Sequence, residues 1–534
     1  MEKKNTGIAI LTGTALLCGM GLVSAKIFGT TVSSKFNHAS QSVVNEVTFG
    51  DATSYSYSSR PARQLRRAPE RTHAVYPNPI TRGESSAPTF HDYGTNPQVR
   101  TAVDTTSTFA ADVDTASYAV ARRALLNNML PSPASVRVEE FVNAFAYRDP
   151  APTEEALTAY LEAAPSPVSG EPDTYMLRIA VKAGDVTSVG RKPWNLTFLV
   201  DTSGSMQGPD RLGLVTAAIE EATSHLSPDD RVSLVTYAGN TRVVIENQRP
   251  SKTLITNALQ SLYAQGGTDM GSGLELAYGL ASQGMAEGRV SRVIVMSDGD
   301  ANIGNVGHDA MLASISEYAK SGIKMTTVGV GDNFNDAAME QLADNGDGNY
   351  VYLDDRSEVE RVFGDNLAMW MQDVASDTKI QVEFDPAAVS TWRQIGYENR
   401  AMADSEFRND KKDGGELGAG HSVTALYEIK LNGTPSDEMA TVRLRYRPEG
   451  AKNVVERQIS MSTKSVKRSL GQASDDLKFS AAVASFALML KRAPEAKYVT
   501  PELIEELVSS GTGARAAEFA NLVRQTKRLW ARRA

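Results

Sequence analysis

The sequence predicts an α/β protein built on a doubly wound, mostly parallel sheet, flanked by a β-rich, sandwich-like domain and by terminal helices. Three observations predict it. Apolar runs that read as strands at 195–200, 231–237, 242–246, 292–297, 323–330 and 349–353 alternate with helical patterns at 210–226, 252–263, 271–285, 308–320, 335–344 and 357–374. Such alternation builds a parallel sheet with helices on both faces. Two of these runs, Asn195–Val200 and Val293–Met296, end in short oxygen-bearing side chains, where an open sheet gathers its ligands. After residue 374 the texture changes to strands separated by polar loops.

In chain order, residues 1–25 read as a signal peptide or membrane anchor. Lys3 and Lys4 precede a largely apolar run from Gly7 to Ala25, and Val23-Ser24-Ala25 resembles a small-residue cleavage site. The run is also about long enough to remain as a bilayer-spanning anchor. Either outcome exports the protein to the periplasm or cell envelope. Cys18, the only cysteine, offers a lipid anchor as an alternative, although Leu17 stands where lipoprotein processing expects a small residue. With no second cysteine, no intramolecular disulfide can form. Residues 26–105 are rich in Ser, Thr, Asn, Pro and Arg and read as a disordered tether, because they bury too little surface to offset chain entropy. Arg60, Arg63, Arg66, Arg67 and Arg71 fit a solvated basic stretch within it.

Residues 106–193 form an N-terminal helical and strand region. Asp112-Val113-Asp114-Thr115 leads into a helix through Leu126, a second helix spans Val136 to Phe145, and Thr174 to Ala183 alternates as a strand. Asp112 and Asp114 read as structural, with Thr115 or Asp114 capping the helix. The α/β core occupies 194–374, and 242–246, reached by a short turn, is expected to be its one antiparallel edge strand. Residues 375–465 form the β-rich domain, with strands at 379–384, 422–431 and 440–446. Strand 174–183 is expected to join them, which makes the α/β core an insertion into a sandwich. Residues 466–534 are helical, and Arg528, Arg532 and Arg533 suit the negative end of a helix dipole.

Composition narrows the function. A chain of 534 residues implies two to four domains. The excess of 64 acidic over 55 basic residues, a net charge of −9, argues against nucleic-acid binding. Histidines 38, 73, 91, 225, 308 and 421 form no zinc-ligand spacing and read as surface or capping residues. Past residue 25 no apolar run is long enough to cross a bilayer as a helix, which argues against a channel.

Three loops carry the chemistry. Asp201-Thr202-Ser203-Gly204-Ser205 closes the first strand, Gly266-Gly267-Thr268-Asp269 precedes a helix, and Ser297-Asp298-Gly299-Asp300 closes a second strand. Short oxygen donors at strand ends suit a hard divalent cation. Asp269 and Asp300 lie beside this set and read as loop or capping residues.

The pattern resembles the metal-ion-dependent adhesion site of the von Willebrand factor A-domain family, of the form D-x-S-x-S, then T, then D. The resemblance implies that Asp201, Ser203, Ser205, Thr268 and Asp298 hold a Mg²⁺ ion, with Mn²⁺ or Ca²⁺ as alternatives. It implies that the serines and the threonine coordinate directly while the aspartates act through bound water. The stretches Ile395–Arg400 and Gly418–Glu428 resemble a bacterial group of envelope A-domain proteins, often lipid-anchored, that share a carboxyl-terminal domain.

Hydroxyl ligands leave the cation electrophilic toward one more oxygen, so the expected function is capture of a protein partner presenting Asp or Glu. One alternative is an ion that stiffens a structural module of an envelope complex. Another is a Mg²⁺-dependent hydrolase, which the sequence favours least: position 203 is Ser where a D-x-D-x-T phosphoryl-transfer site carries its second carboxylate, and no G-x-x-x-x-G-K-[ST] loop is present.

Overall fold

The computed structural model describes residues 90–185, 190–299, 308–332 and 335–531. At its centre is a six-stranded sheet in the order Tyr350–Leu353, Ile323–Val330, Val290–Ser297, Trp194–Asp201, Arg231–Tyr237, Arg242–Gln248. Numbered along the chain and read from the Arg242–Gln248 edge, this is 3-2-1-4-5-6, the doubly wound order. All pairs are parallel except the last, where Arg242–Gln248 runs antiparallel at the edge. Alternate residues feed opposite faces, as a pleated strand dictates. Phe198, Val200, Ile294 and Met296 pack with Val215 and Ile219 of helix Leu212–Ser224. Leu199, Val293 and Val295 pack on the other side with Leu274 and Ala277 of helix Met270–Gln283.

The strand order reverses between Trp194–Asp201 and Val290–Ser297, the two whose ends carry Asp201 and Asp298. A crevice at such a reversal is where open α/β sheets bind ligands.

Around this domain lie two antiparallel sheets. One has the order Val99–Arg100, Val389–Ile395, Ser422–Leu431, Thr174–Ala183, Leu157–Pro165. The other has the order Ala401–Met402, Thr106–Ala110, Asp373–Phe384, Ala440–Pro448, Val455–Met461, with Gly415–Gly418 pairing off Asp373–Phe384. Phe384 of one sheet stacks on Trp392 of the other at 5.5 Å and meets Tyr427 edge-on at 5.4 Å, so the inner faces share a core.

Strands from before and after the parallel-sheet segment thus sit side by side. Thr174–Lys182 pairs with Ser422–Lys430 over nine registered positions, and Thr106–Ala110 pairs with Lys379–Glu383. The expected joining of strand 174–183 to the β-rich strands is what the pairing shows, and Thr106–Ala110 and Leu157–Pro165 of the region 106–193 join the two sheets as well. The last residues of the segment 26–105 depart from the expected tether. Val99–Arg100 is a strand on Trp392 and Thr391, and Asn96 donates to the Gly396 carbonyl at 2.8 Å. The remainder of that segment and residues 1–25, with Cys18, lie outside the described residues. Helix 357–374 is broken into Arg356–Val359, a π-helical turn Glu360–Asp365 and Leu367–Met371.

The terminal helices form a separate apolar layer. Tyr118, Phe141 and Phe145 pack against Phe479 and Phe519, with Tyr118 meeting Phe145 edge-on at 5.0 Å. Among the described residues no helix is long and apolar enough to cross a membrane.

Charged groups join the parallel-sheet domain to its surroundings. Arg400 contacts Asp112 at 2.9 Å, Asp114 at 3.1 Å, and Asp344 of helix Asp336–Asn345 at 3.0 Å. Arg137 pairs with Glu140 at 2.9 Å and with Glu340 of the same helix. Asp112 and Asp114 are structural, as the sequence suggested, but neither Asp114 nor Thr115 caps the helix Ala116–Leu126. Thr115 makes no capping bond, Asp114 accepts from the Tyr350 amide at 2.9 Å, and Glu140 takes the Ser117 amide at 2.8 Å. A second contact joins Lys324 of the parallel sheet to Asp373 at 2.9 Å and Glu416 at 3.7 Å. His421 corrects the surface reading of the histidines: it is buried, accepts from the Gly418 amide at 3.2 Å, and packs on Trp370. Burial takes its pKa down to about 3, so it stays neutral.

Candidate metal centre

Strand Trp194–Asp201 is buried along its whole length and delivers Asp201 at 0% exposure to the carboxyl edge of the sheet. A buried carboxylate needs polar partners. Asp201 Oδ1 accepts from the Ser203 amide at 2.8 Å, which closes the turn, and Oδ2 accepts from Ser297 Oγ at 2.8 Å on the neighbouring strand. Ser203 and Ser205 then sit on either side of Gly204, with their Oγ atoms 3.0 Å apart. Ser203 is 2% exposed and Ser205 half-buried.

The second loop is stitched to the first by backbone hydrogen bonds. Gly204 N donates to Gly266 O at 3.2 Å and Gln265 N to Thr202 O at 2.7 Å. Asp269 N donates to Ala238 O at 3.0 Å, so Thr268 lies between fixed points at the same edge. Gly266 has φ +82, and a Cβ there would come 3.3 Å from Gly239 N. Asp269 caps the following helix, accepting from Ser272 N at 3.2 Å and Ser272 Oγ at 2.8 Å. The capping reading holds for it, whereas Asp300 lies outside the described residues.

Asp298 follows Ser297 and is 1% exposed. Ser297 Oγ also accepts from the Gly299 amide at 3.0 Å, so one hydroxyl orients Asp201 and fixes the turn that carries Asp298. Gly299, at φ +72, has the Asn335 amide so close that a Cβ would meet it at 2.4 Å.

The structure therefore brings Asp201, Ser203, Ser205, Thr268 and Asp298 to one edge, at the strand-order reversal. Sequence reasoning missed three neighbours. Ser297 stood visibly beside Asp298, yet its role needs the register of two strands. Tyr237, on the adjoining strand, is fully buried, and burial, then the Asp201 charge, raises its pKa. Arg211 Nη1 lies 3.7 Å from Asp298 Oδ2 and donates to the Ser205 carbonyl, a placement with no signal in the sequence.

The donor set fits a small divalent cation. Oxygen ligands at 2.0–2.1 Å in an octahedron lie about 2.9 Å from their neighbours, close to the 3.0 Å between the two serine hydroxyls. Among the described residues no group of three or more His, Cys, Asp or Glu forms an alternative metal cluster.

The chain is similar to known proteins. The family model described as von Willebrand factor type A domain matches residues 195–365, one described as von Willebrand factor matches 84–176, and one described as "Uncharacterized protein YfbK, C-terminal" matches 369–437 and 430–529. "Uncharacterized protein YfbK" from Escherichia coli (strain K12) is 36% identical over 405 residues, covering 74% of this chain and 70% of that protein. The chain belongs to the YfbK family. Its α/β core is a von Willebrand factor type A domain, a class of module that generally mediates protein–protein interaction. "Uncharacterized protein sll0103" from Synechocystis sp. is 33% identical over 188 residues, 35% of this chain and 44% of that protein. Among solved structures, "von Willebrand factor type A from Catenulispora acidiphila" aligns over 71% of this chain and 91% of that chain, at 15% identity and a TM-score of 0.43.

Proposed function

We propose that this YfbK-family protein is a metal-ion-dependent protein-binding protein of the bacterial cell envelope, acting in adhesion or assembly and not as an enzyme. Ser203, Ser205 and Thr268 would hold a Mg²⁺-type ion directly, and Asp201 and Asp298 would hold it through water. When bound, the ion supplies a strong electrophile for one carboxylate oxygen of a partner's Asp or Glu. The chain's own part is to fix the donors. Ser297 aims Asp201, the Gly204–Gly266 hydrogen bond sets the two hydroxyl loops against each other, and the strand ends keep both carboxylates buried from bulk solvent.

The observation that carries this reading is the convergence of three separate loops at the strand-order reversal. Ser203 in place of a second carboxylate supports binding over phosphoryl transfer. An envelope location rests on the leader-like residues 1–25.

The test is affinity capture from envelope extract in Mg²⁺ or EDTA, wild type against Ser203→Ala, with partners identified by mass spectrometry. The expected result is a partner recovered only by wild type and only with Mg²⁺. Identical partners in EDTA would leave a structural module in its place.

A further inference from the structure

Arg211 is held beside the ion site by more than its own contacts. It ends the loop Gly208–Arg211 just before helix Leu212–Ser224, and its side chain is only 21% exposed. Its Nη1 donates to the Ser205 carbonyl and faces Asp298 Oδ2 at 3.7 Å. Gly331, at φ +83 past the end of strand Ile323–Val330, makes the room: a Cβ there would come 2.7 Å from Arg211 Nε. The residues next to these, Asp210 and Asp332, are pinned from outside by one side chain. Arg123, on helix Ala116–Leu126, meets Asp210 at 2.8 Å and Asp332 at 2.6 Å, and donates to Tyr352 Oη at 3.2 Å. Tyr352 Oη in turn donates to the Gly331 carbonyl. The two loops that enclose Arg211 are thus clamped by a residue outside the type A domain.

We propose that Arg211 is a built-in competitor of the metal ion. Its guanidinium is the counter-charge that Asp298 keeps when no divalent ion is bound, and it lowers the affinity of the site for one. This inference rests on the ion site proposed above. Two carboxylates buried at one edge, Asp201 and Asp298, repel each other and need a cation nearby. A guanidinium supplies one positive charge there at all times. A divalent ion reaching the same edge finds that carboxylate already compensated and meets a like charge in a poorly solvated setting. Arg211 therefore stabilises the fold without the ion and sets the ion concentration at which the site fills. Arg123, by fixing the loops around Arg211, ties that threshold to the flanking helix.

The test is calorimetric titration of MgCl₂ into the EDTA-treated full chain, with a melting curve for each variant. Arg211→Met, which keeps much of the apolar stem, is expected to bind Mg²⁺ about tenfold more tightly than wild type, because a like charge is removed from a low-dielectric site. Its melting temperature in EDTA should fall, and Mg²⁺ should restore it. Arg211→Lys keeps the charge and should stay within about threefold of wild type. If Arg211→Met does not fold, Arg211→Gln carries the same expectation. Ser203→Ala combined with Arg211→Met should bind no Mg²⁺, which assigns the heat to this site. Unchanged or weaker Mg²⁺ binding by the charge-free variants, with normal binding by wild type, would overturn the role of Arg211 and leave the site standing. No Mg²⁺ binding by wild type and variants alike would overturn both.

Discussion

In the type A domain every sheet strand comes from one continuous segment, 194–353, and pairs with strands of that segment. The sandwich instead joins strands from 99–183 to strands from 373–461 across that whole segment. Trp194–Asp201 is buried throughout, and Thr174–Ala183 in the sandwich is buried at all but Tyr175 and Lys182, yet only the type A sheet could form from a contiguous piece of chain. The sandwich closes over long loops, which costs entropy before its contacts repay it. Charged contacts, Arg400 and Arg137 on one patch and Lys324 on another, then join the type A domain to the rest. The type A domain presents the proposed site, and Arg123, on helix Ala116–Leu126 outside both sheets of the sandwich, holds the loops around it.

The comparison can be broken by cutting each core. Phe198→Ala in the parallel sheet and Phe384→Ala in the sandwich should each cost about 3–5 kcal/mol, since each removes a fully buried ring. In scanning calorimetry both should lower one shared transition if the charged contacts hold. Arg400→Met tests those contacts directly. It strands Asp112, Asp114 and Asp344, should cost about 3 kcal/mol, and should split the melt into two steps.

A smaller effect depends on pH. Burial pushes the Glu416 carboxyl up to about 8, with Lys324 opposing and Asp413 and Asp347 adding to the rise. The folded state therefore holds a proton that the unfolded state releases near pH 4.5, so this contribution is full in acid and is lost as pH rises through 8. Melting temperatures should fall from pH 5 to pH 9, and Glu416→Gln should flatten that fall. The smallest effect is local: Asp269→Ala removes the cap of helix Met270–Gln283 and should cost about 1 kcal/mol in urea unfolding.

The same contrast explains what the sequence disclosed. The type A strands are apolar runs bounded by helices, and their periodicity marks them without knowledge of partners. The motif residues were legible because each hydroxyl or carboxylate sits at a strand end or ahead of a helix. Leu157–Pro165 was missed because its alanines and glutamate carry no strand bias, and only pairing with Thr174–Ala183 makes it one. Val389–Ile395 is polar at Ser390, Thr391, Arg393 and Gln394 and gains its core role from Trp392 against Phe384. Ser297, Tyr237 and Arg211 escaped for the same reason: their roles exist only once strand register and a loop crossing are known.

Three loops, distant in sequence, make one ion site in the function proposed above. Titrating Mn²⁺ into the purified chain and counting bound ion by electron paramagnetic resonance tests it most directly. The account predicts a single high-affinity Mn²⁺ displaced by Mg²⁺, and lost alike in Ser203→Ala and in Thr268→Ala, whose residues lie on different loops. Undiminished Mn²⁺ binding in Thr268→Ala, with loss only in Ser203→Ala, would contradict it.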